Sequence, residues 1–191
     1  ITSRLPANEY KDSGFKTLTT NPCGEIPLSA YDSCRLISIN LKHFVENEFT
    51  SNALFNFNKF AKTVRKAMRM SDDLVQLEIE KLEKIVDVAS DLDEKHMWGK
   101  LLHVCMKGRR TGLGTHGLAD VMARLCIKYD DEKSIETAKK IYKILRDESY
   151  RESINLAQER GAFEAFNWNI EQGNEFIKEL PDEIRNLLSK Y

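Results

Sequence analysis

A chain of 191 residues, 41% hydrophobic and 31% charged, is long enough to bury a sizeable core as one domain. Its net charge of -1 gives no global field for holding nucleic acid or a membrane surface, and no apolar run reaches membrane-spanning length. The chain opens without a secretory signal pattern, and its four cysteines (Cys23, Cys34, Cys105 and Cys126) form no C-x-x-C pair of the kind that builds a zinc site. Together these features predict a soluble protein of the reducing cytoplasm, in which any disulfide is catalytic and transient.

Residues 1–20 show little periodicity, and Pro6, Asn8, Asp12, Ser13 and Gly14 predict an irregular lead-in. The start at Ile1 rather than Met predicts a processed or trimmed chain, or a piece of something longer. Asn21-Pro22-Cys23-Gly24-Glu25 follows, with an amide, a thiol and a carboxylate at alternate positions. In an extended loop, alternate side chains share a face, so Asn21, Cys23 and Glu25 would point at one spot. The same Asn, Pro and Gly also favour a plain surface turn. After Ile26-Pro27-Leu28 and a polar turn over residues 29–33, the run from Cys34 to Leu41 predicts a short buried strand. Its odd face carries Ile37, Ile39 and Leu41. Its even face carries Cys34, Leu36, Ser38 and Asn40, polar groups whose burial needs partners or a cavity, so that face is expected to border a site.

From Phe57 to about Leu92 the apolar residues recur at helical spacing, with a break or kink expected at Ser71-Asp72-Asp73. His96 to Met106 predicts another helix, with Met97, Trp98, Leu101, Leu102 and Cys105 inward. A glycine-rich stretch, Gly108 to Gly117, precedes a helix with Leu118, Ala119, Met122, Leu125 and Cys126 on its apolar side. Ser134 is a candidate cap for a long helix that stops at Gly161, and after Phe163, Phe166 and Trp168 two short helices close the chain, Pro181 suiting the first turn of the last. Helices dominate, and they separate the few strands from one another, which predicts pieces of a parallel α/β sheet or barrel.

Gly112, Gly114 and Gly117 match G-x-G-x-x-G. A dinucleotide site needs a strand before the motif and an acidic residue about 20 positions on. Here a helical pattern and two arginines come before it and Asp130 and Asp131 fall early, so the glycines predict a packing or loop role. Arg109 and Arg110 could bind phosphate, but a pair of surface arginines needs no ligand; Cys105 and Cys126 are read as inert core thiols, and the runs 78–84 and 91–95 as solvated helix faces. The four histidines, His43, His96, His103 and His116, are scattered and suggest no metal site.

Cys23 is different. A hydrolase would need a histidine base for its thiol, and no spacing selects His43 or His116. A carboxylate two residues away disfavours the thiolate. The arrangement suits thiol chemistry that needs no thiolate, such as hydrogen-atom transfer, with the carboxylate acting on the substrate instead.

At this point the residues carry a resemblance. Asn21-Pro22-Cys23-Gly24-Glu25-Ile26, followed by residues 31–41 reading Tyr-Asp-Ser-Cys-Arg-Leu-Ile-Ser-Ile-Asn-Leu, resembles the large catalytic subunit of ribonucleotide reductases, and most of all the adenosylcobalamin-dependent class II. Gly108-Arg109-Arg110-Thr111-Gly112-Leu113-Gly114-Thr115-His116-Gly117-Leu118-Ala119-Asp120 resembles a second block of that family. The resemblance runs from about residue 19 to 168. It implies a helix-rich fragment of a ten-stranded α/β barrel, with residues 21–41 as finger loop and strand and 57–191 mainly helical. It implies Cys23 as the thiyl radical, Glu25 as general base, Asn21 as substrate-holding amide and Cys34 as one redox-active thiol. Adenosylcobalamin is the implied cofactor and a dithiol such as thioredoxin the implied reductant. The implied partners are a ribonucleotide substrate and the remaining segments or subunit of the reductase, with a homodimer among the assemblies open to it. The second redox cysteine, the specificity region, the phosphate loop and the C-terminal recycling cysteines of the family have no counterpart here, so the chain is expected to be inactive alone. The competing expectation is a helical interaction or assembly module whose loop is only a turn.

Overall fold

The computed structural model describes residues 10–24 and 26–191. In chain order the strands and helices are β1 (Thr17–Thr20), β2 (Pro27–Ser29), β3 (Arg35–Asn40), β4 (Val45–Glu46), β5 (Leu54–Phe55), α1 (Phe57–Val88), α2 (Leu92–Gly108), β6 (Thr111–His116), α3 (Leu118–Arg124), α4 (Glu132–Arg160), α5 (Trp168–Glu171), α6 (Glu175–Lys178) and α7 (Asp182–Leu188). Helices dominate, as the apolar periodicity predicts. Among the described residues the strands form three two-stranded sheets, β1–β2, β3–β6 and β4–β5, rather than a closed barrel. The chain divides into two compact units. The described residues of the first fall within Ile1–Arg35, Asp72–Gly112 and Leu156–Tyr191; the second comprises Leu36–Ser71 and Leu113–Asn155.

The second unit has an aromatic core. Ile39, Leu41, Phe44, Phe55, Phe60, Val64, Ala67, Val121 and Ile141 are buried together. Phe60 meets Phe44 edge-on at 5.1 Å and Phe55 at 5.6 Å, the geometry that the ring quadrupoles favour. Phe60, Val64, Ala67 and Ser71 occupy one face of α1 at intervals of three and four. Ser71 is fully buried, and its hydroxyl donates to the Ala67 carbonyl at 3.0 Å. That back-bond satisfies the hydroxyl inside an apolar stripe, so α1 runs through the expected break without interruption. On α4, Asp147 and Glu152 are buried polar residues, paired with Lys143, Arg146 and Arg69.

In the first unit Val75, Ile79, Leu82 and Cys105 are buried against Trp98, Leu101 and Leu102. Helix α2 starts earlier than its apolar pattern suggests. Asp91 accepts the Glu94 N–H at 2.8 Å and caps it, which Asp93 and Glu94 reinforce at the positive end of the helix dipole. Met97, expected inward, is 42% exposed. Three short helices rather than two close the chain. Asn167 and Asn174 cap α5 and α6, and α7 begins after Pro181.

Other differences from the expected elements have local causes. Strand β1 occupies the end of the stretch expected to be irregular, because Thr17, Thr19 and Thr20 pair antiparallel with Ser29, Leu28 and Pro27. The glycine-rich block forms β6, so Gly112 and Gly114 lie within a strand and not in a loop after one. Strand β3 is half-buried: Ile39 faces the core while Leu36 is 60% exposed and Ser38 is exposed. Its even face is therefore not enclosed by the two-stranded sheet to which it belongs. Ser134 lies inside α4, and its hydroxyl donates to the Tyr129 carbonyl at 2.7 Å. Cys126 is exposed, not core. Helix α3 ends at Arg124, and Cys126 adopts φ 56°, outside the helical register that would have turned it inward.

Candidate functional site

The loop Asn21–Ile26 closes the β1–β2 hairpin. The Gly24 N–H donates to the Asn21 carbonyl at 2.9 Å, which makes Asn21-Pro22-Cys23-Gly24 a β-turn. Asn at the first position, Pro at the second and Gly at the fourth are the residues such turns favour. Gly24 takes φ 77°, a conformation that a glycine adopts without strain. Asn21 closes the loop twice more: its backbone N–H donates to the Ile26 carbonyl at 3.1 Å, and its Oδ1 accepts the Ile26 N–H at 2.9 Å. The segment is thus folded rather than extended, and the alternate-residue argument for a shared face does not apply to it. Asn21 is half-buried and Cys23 is exposed at the turn. Glu25 lies outside the described residues.

Cys34 sits past β2, in the segment entering β3, and is half-buried. Its neighbours carry interactions that the sequence reading missed. Asp32 pairs with Arg110 at 2.8 Å and Arg35 with Glu78 at 2.5 Å. The Arg35 guanidinium also lies 2.8 Å from Cys105 Sγ. Burial alone would lower the affinity of Arg35 for its proton, but the hydrogen bond to Glu78 and the surrounding anionic groups raise it on balance. Burial pushes the Cys105 thiol up, against the opposing influence of Arg35.

Three sequence expectations are corrected here. Glu78 is not part of a solvated face, since it takes the Arg35 pair. Arg110 is not a loose surface arginine, and neither is Arg109, whose side chain is 23% exposed and bridges to Asp72 at 2.8 Å. Cys105 is buried as expected, yet its sulfur meets a cation as well as apolar neighbours. The available signal was the pair of charged residues, Asp32 and Arg35, flanking Cys34; their partners stand 43 to 78 positions away.

In the other unit, the second glycine block brings His116 Nδ1 to 2.9 Å from the Ser38 hydroxyl, and Thr115 to 3.2 Å from the Tyr142 hydroxyl. Gly117 takes φ 81° at the start of α3. Because Gly112 and Gly114 belong to a strand, the motif lacks the strand-then-glycine order of a dinucleotide fingerprint.

A helix-rich α/β fold is also what a known structure shows. The structure resembles the alpha subunit of the Actinobacillus ureae class Id ribonucleotide reductase, with a TM-score of 0.53 at 20% identity, over 82% of this chain and 27% of that one. The chain is 32% identical over 164 residues to the vitamin B12-dependent ribonucleoside-diphosphate reductase of Thermoplasma acidophilum, which is 84% of this chain and 18% of that protein. It is 32% identical over 147 residues to the protein of the same name from Mycobacterium tuberculosis, 77% of this chain and 18% of that one. Residues 8–184 match the model of the ribonucleotide reductase barrel domain. The chain belongs to the ribonucleotide reductase barrel-domain family, and it spans under a fifth of the length of these two reductases.

Proposed function

We propose that the chain is a catalytic-barrel segment of a ribonucleoside-diphosphate reductase and that Cys23 is its radical-bearing thiol. The observation that carries this reading is the exposed Cys23 at a turn closed by Asn21 and Gly24, in a chain whose family membership extends over residues 8–184. The diphosphate substrate follows the names of the two reductases above.

In the proposed reaction, Cys23 as a thiyl radical takes the hydrogen atom from the ribose 3′ carbon and becomes a thiol. Glu25 accepts the 3′-hydroxyl proton as general base. The 2′-hydroxyl leaves as water, and two thiols supply the two electrons and close to a disulfide. Cys34 is one of the two. Cys23 then returns a hydrogen atom to the 3′ carbon. Asn21 spends its Oδ1 on Ile26, so Nδ2 is the group it offers to a substrate oxygen as charge develops.

The cofactor implied by the same names is adenosylcobalamin. Access to Cys23 is compatible with a bulky group: the thiol is exposed, and among the described residues nothing lies within 4 Å of a Cβ built at Gly24. When bound, adenosylcobalamin supplies the radical that oxidises the Cys23 thiol. An external dithiol of the thioredoxin type reopens the disulfide. The working partners are the remaining segments or subunit of the reductase and a second copy in a homodimer, in the reducing cytoplasm, with no role for nucleic acid or membrane. Among the described residues no helix is long and apolar enough to cross a membrane.

The test is reconstitution with the remaining reductase segments, adenosylcobalamin, a ribonucleoside diphosphate and a dithiol. Cys23→Ser should abolish deoxynucleotide formation, and Cys34→Ser should stop repeated turnover. Retained activity in Cys23→Ser removes Cys23 from the radical role.

A further inference from the structure

The segment carrying Cys34 is held by charged groups on both sides. On the N-terminal side the Asp32 carboxylate, 3% exposed, accepts the Ser33 N–H at 2.9 Å and Arg110 Nε at 2.8 Å. On the C-terminal side Arg35, 9% exposed, donates through Nε to Glu78 at 2.5 Å. Its Nη1 reaches the Ser33 carbonyl at 3.3 Å and the Arg110 carbonyl at 3.2 Å, and its Nη2 reaches Cys105 Sγ at 2.8 Å. Ser33 Oγ also donates to Glu78, at 3.4 Å.

Two residues therefore grip both flanks of Cys34. Arg110 holds Asp32 with its side chain and Arg35 with its carbonyl. Glu78 holds Ser33 with one carboxylate oxygen and Arg35 with the other. Each pair joins one nearly buried partner, Arg35 or Asp32, to a partly exposed one, and desolvation of the buried partner offsets much of the Coulomb attraction, so such pairs are a weak source of stability. What charged forks add is direction. Bidentate and charge-assisted bonds fix position within hydrogen-bond tolerance, and a thiol that must meet both a substrate radical and a second thiol needs that tolerance.

We propose that Glu78 and Arg110 are positioning residues for the Cys34 thiol, acting through Asp32, Ser33 and Arg35. This role rests on the reading of Cys34 as a redox thiol. Removing the Glu78 charge weakens the hold on Arg35 Nε and on the Ser33 hydroxyl together, so both the placement of Cys34 and the electrostatics of its disulfide change.

The test uses the assembled reductase with Glu78→Gln, which keeps the side-chain shape, and Asp32→Asn as a second isosteric variant. Glu80→Ala, at an exposed position on the same helix, is the control. For Glu78→Gln and Asp32→Asn, the single-turnover rate of pre-reduced enzyme should fall on the order of tenfold, and the reduction potential of the Cys34 disulfide should shift, while Glu80→Ala matches the parent in both. Loss of thermal stability with unchanged rate and potential would make the network merely structural and overturn the proposal. Cys34→Ser separates the two claims. If it sustains repeated turnover, the redox reading of Cys34 fails and the positioning role goes with it. If it stops turnover while Glu78→Gln behaves like Glu80→Ala, the redox reading stands and the positioning role alone fails.

Discussion

Gly117→Ala tests what the glycine block is for. Gly117 opens α3 with φ 81°, in the left-handed region. An alanine there costs about 1–2 kcal/mol for the backbone alone. The added Cβ would also stand 3.2 Å from Asn40 Oδ1 and 3.3 Å from Asp120 Oδ2. Asn40 Oδ1 is the acceptor for the Lys42 N–H that caps the short 3-10 turn Leu41–Phe44, and disturbing such a cap costs about 0.5–2 kcal/mol. Both atoms end short side chains that shift by a few tenths of an ångström, so the sum expected is about 2 kcal/mol. With a urea m-value of about 2 kcal/mol/M for a chain of this size, the unfolding midpoint of the unit comprising Leu36–Ser71 and Leu113–Asn155 should drop by about 1 M. Gly114→Ala is the paired control. It sits in β6 at a φ open to other residues, with nothing among the described residues within 4 Å of the new Cβ, and should be neutral or stabilising by about 0.5 kcal/mol. Urea unfolding followed by circular dichroism on both variants measures the difference. Equal midpoints would refute the packing account of Gly117. Loss of nucleotide affinity in Gly114→Ala with no change in stability would instead revive a phosphate-binding role for the motif.

Two further outcomes follow from the cores. Phe60→Ala removes a fully buried ring held by Phe44 and Phe55 and should destabilise its unit by about 3–5 kcal/mol; a cost below 1 kcal/mol by denaturant titration would contradict the packing described. Because the native pKa of Cys105 is raised by burial, the native state holds that proton longer than the unfolded chain does. Its contribution to stability is full below the ordinary thiol value of about 8.5 and is lost as pH rises above it. Cys105→Ala should remove that alkaline loss, and an unchanged stability-versus-pH curve between pH 8 and 10 would count against it.

The long helices were legible because one stripe of apolar residues runs along α1 at intervals of three and four, and intervals of that kind survive any tertiary context. Ser71 misled only at the level of a single residue: a hydroxyl bonded back to the carbonyl four residues earlier occupies an apolar stripe without breaking it. Strand β6 was hidden for a different reason. Thr111, Gly112, Leu113, Gly114, Thr115 and His116 show no alternation of apolar and polar residues, and what makes them a strand is pairing with β3, more than 70 positions away. Cys126 shows the limit of extending a helical face past its end, since the register stops where α3 does. The charges around Cys34 were illegible as a network because Glu78 and Arg110 each belong to stretches that read, locally, as solvated.

The Asn-Pro-Cys-Gly motif reads two ways in the sequence, as a turn and as a reactive loop; the structure shows the turn, and the reactive role is the one proposed above. In Asn-Pro-Cys-Gly the first, second and fourth residues meet the demands of the turn, and the third is left without a structural task. Cys23 occupies that third position and is exposed. The turn thus presents a thiol without committing any side chain of the cysteine to folding. Asn21 has no such freedom: its carbonyl, its N–H and its Oδ1 all close the loop. An activity loss on replacing Asn21 would therefore mix loop collapse with lost substrate contact, whereas replacing Cys23 by Ser alters the chemistry and leaves every hydrogen bond of the turn in place. Of the two residues, Cys23 is the one whose substitution reports on the reaction alone.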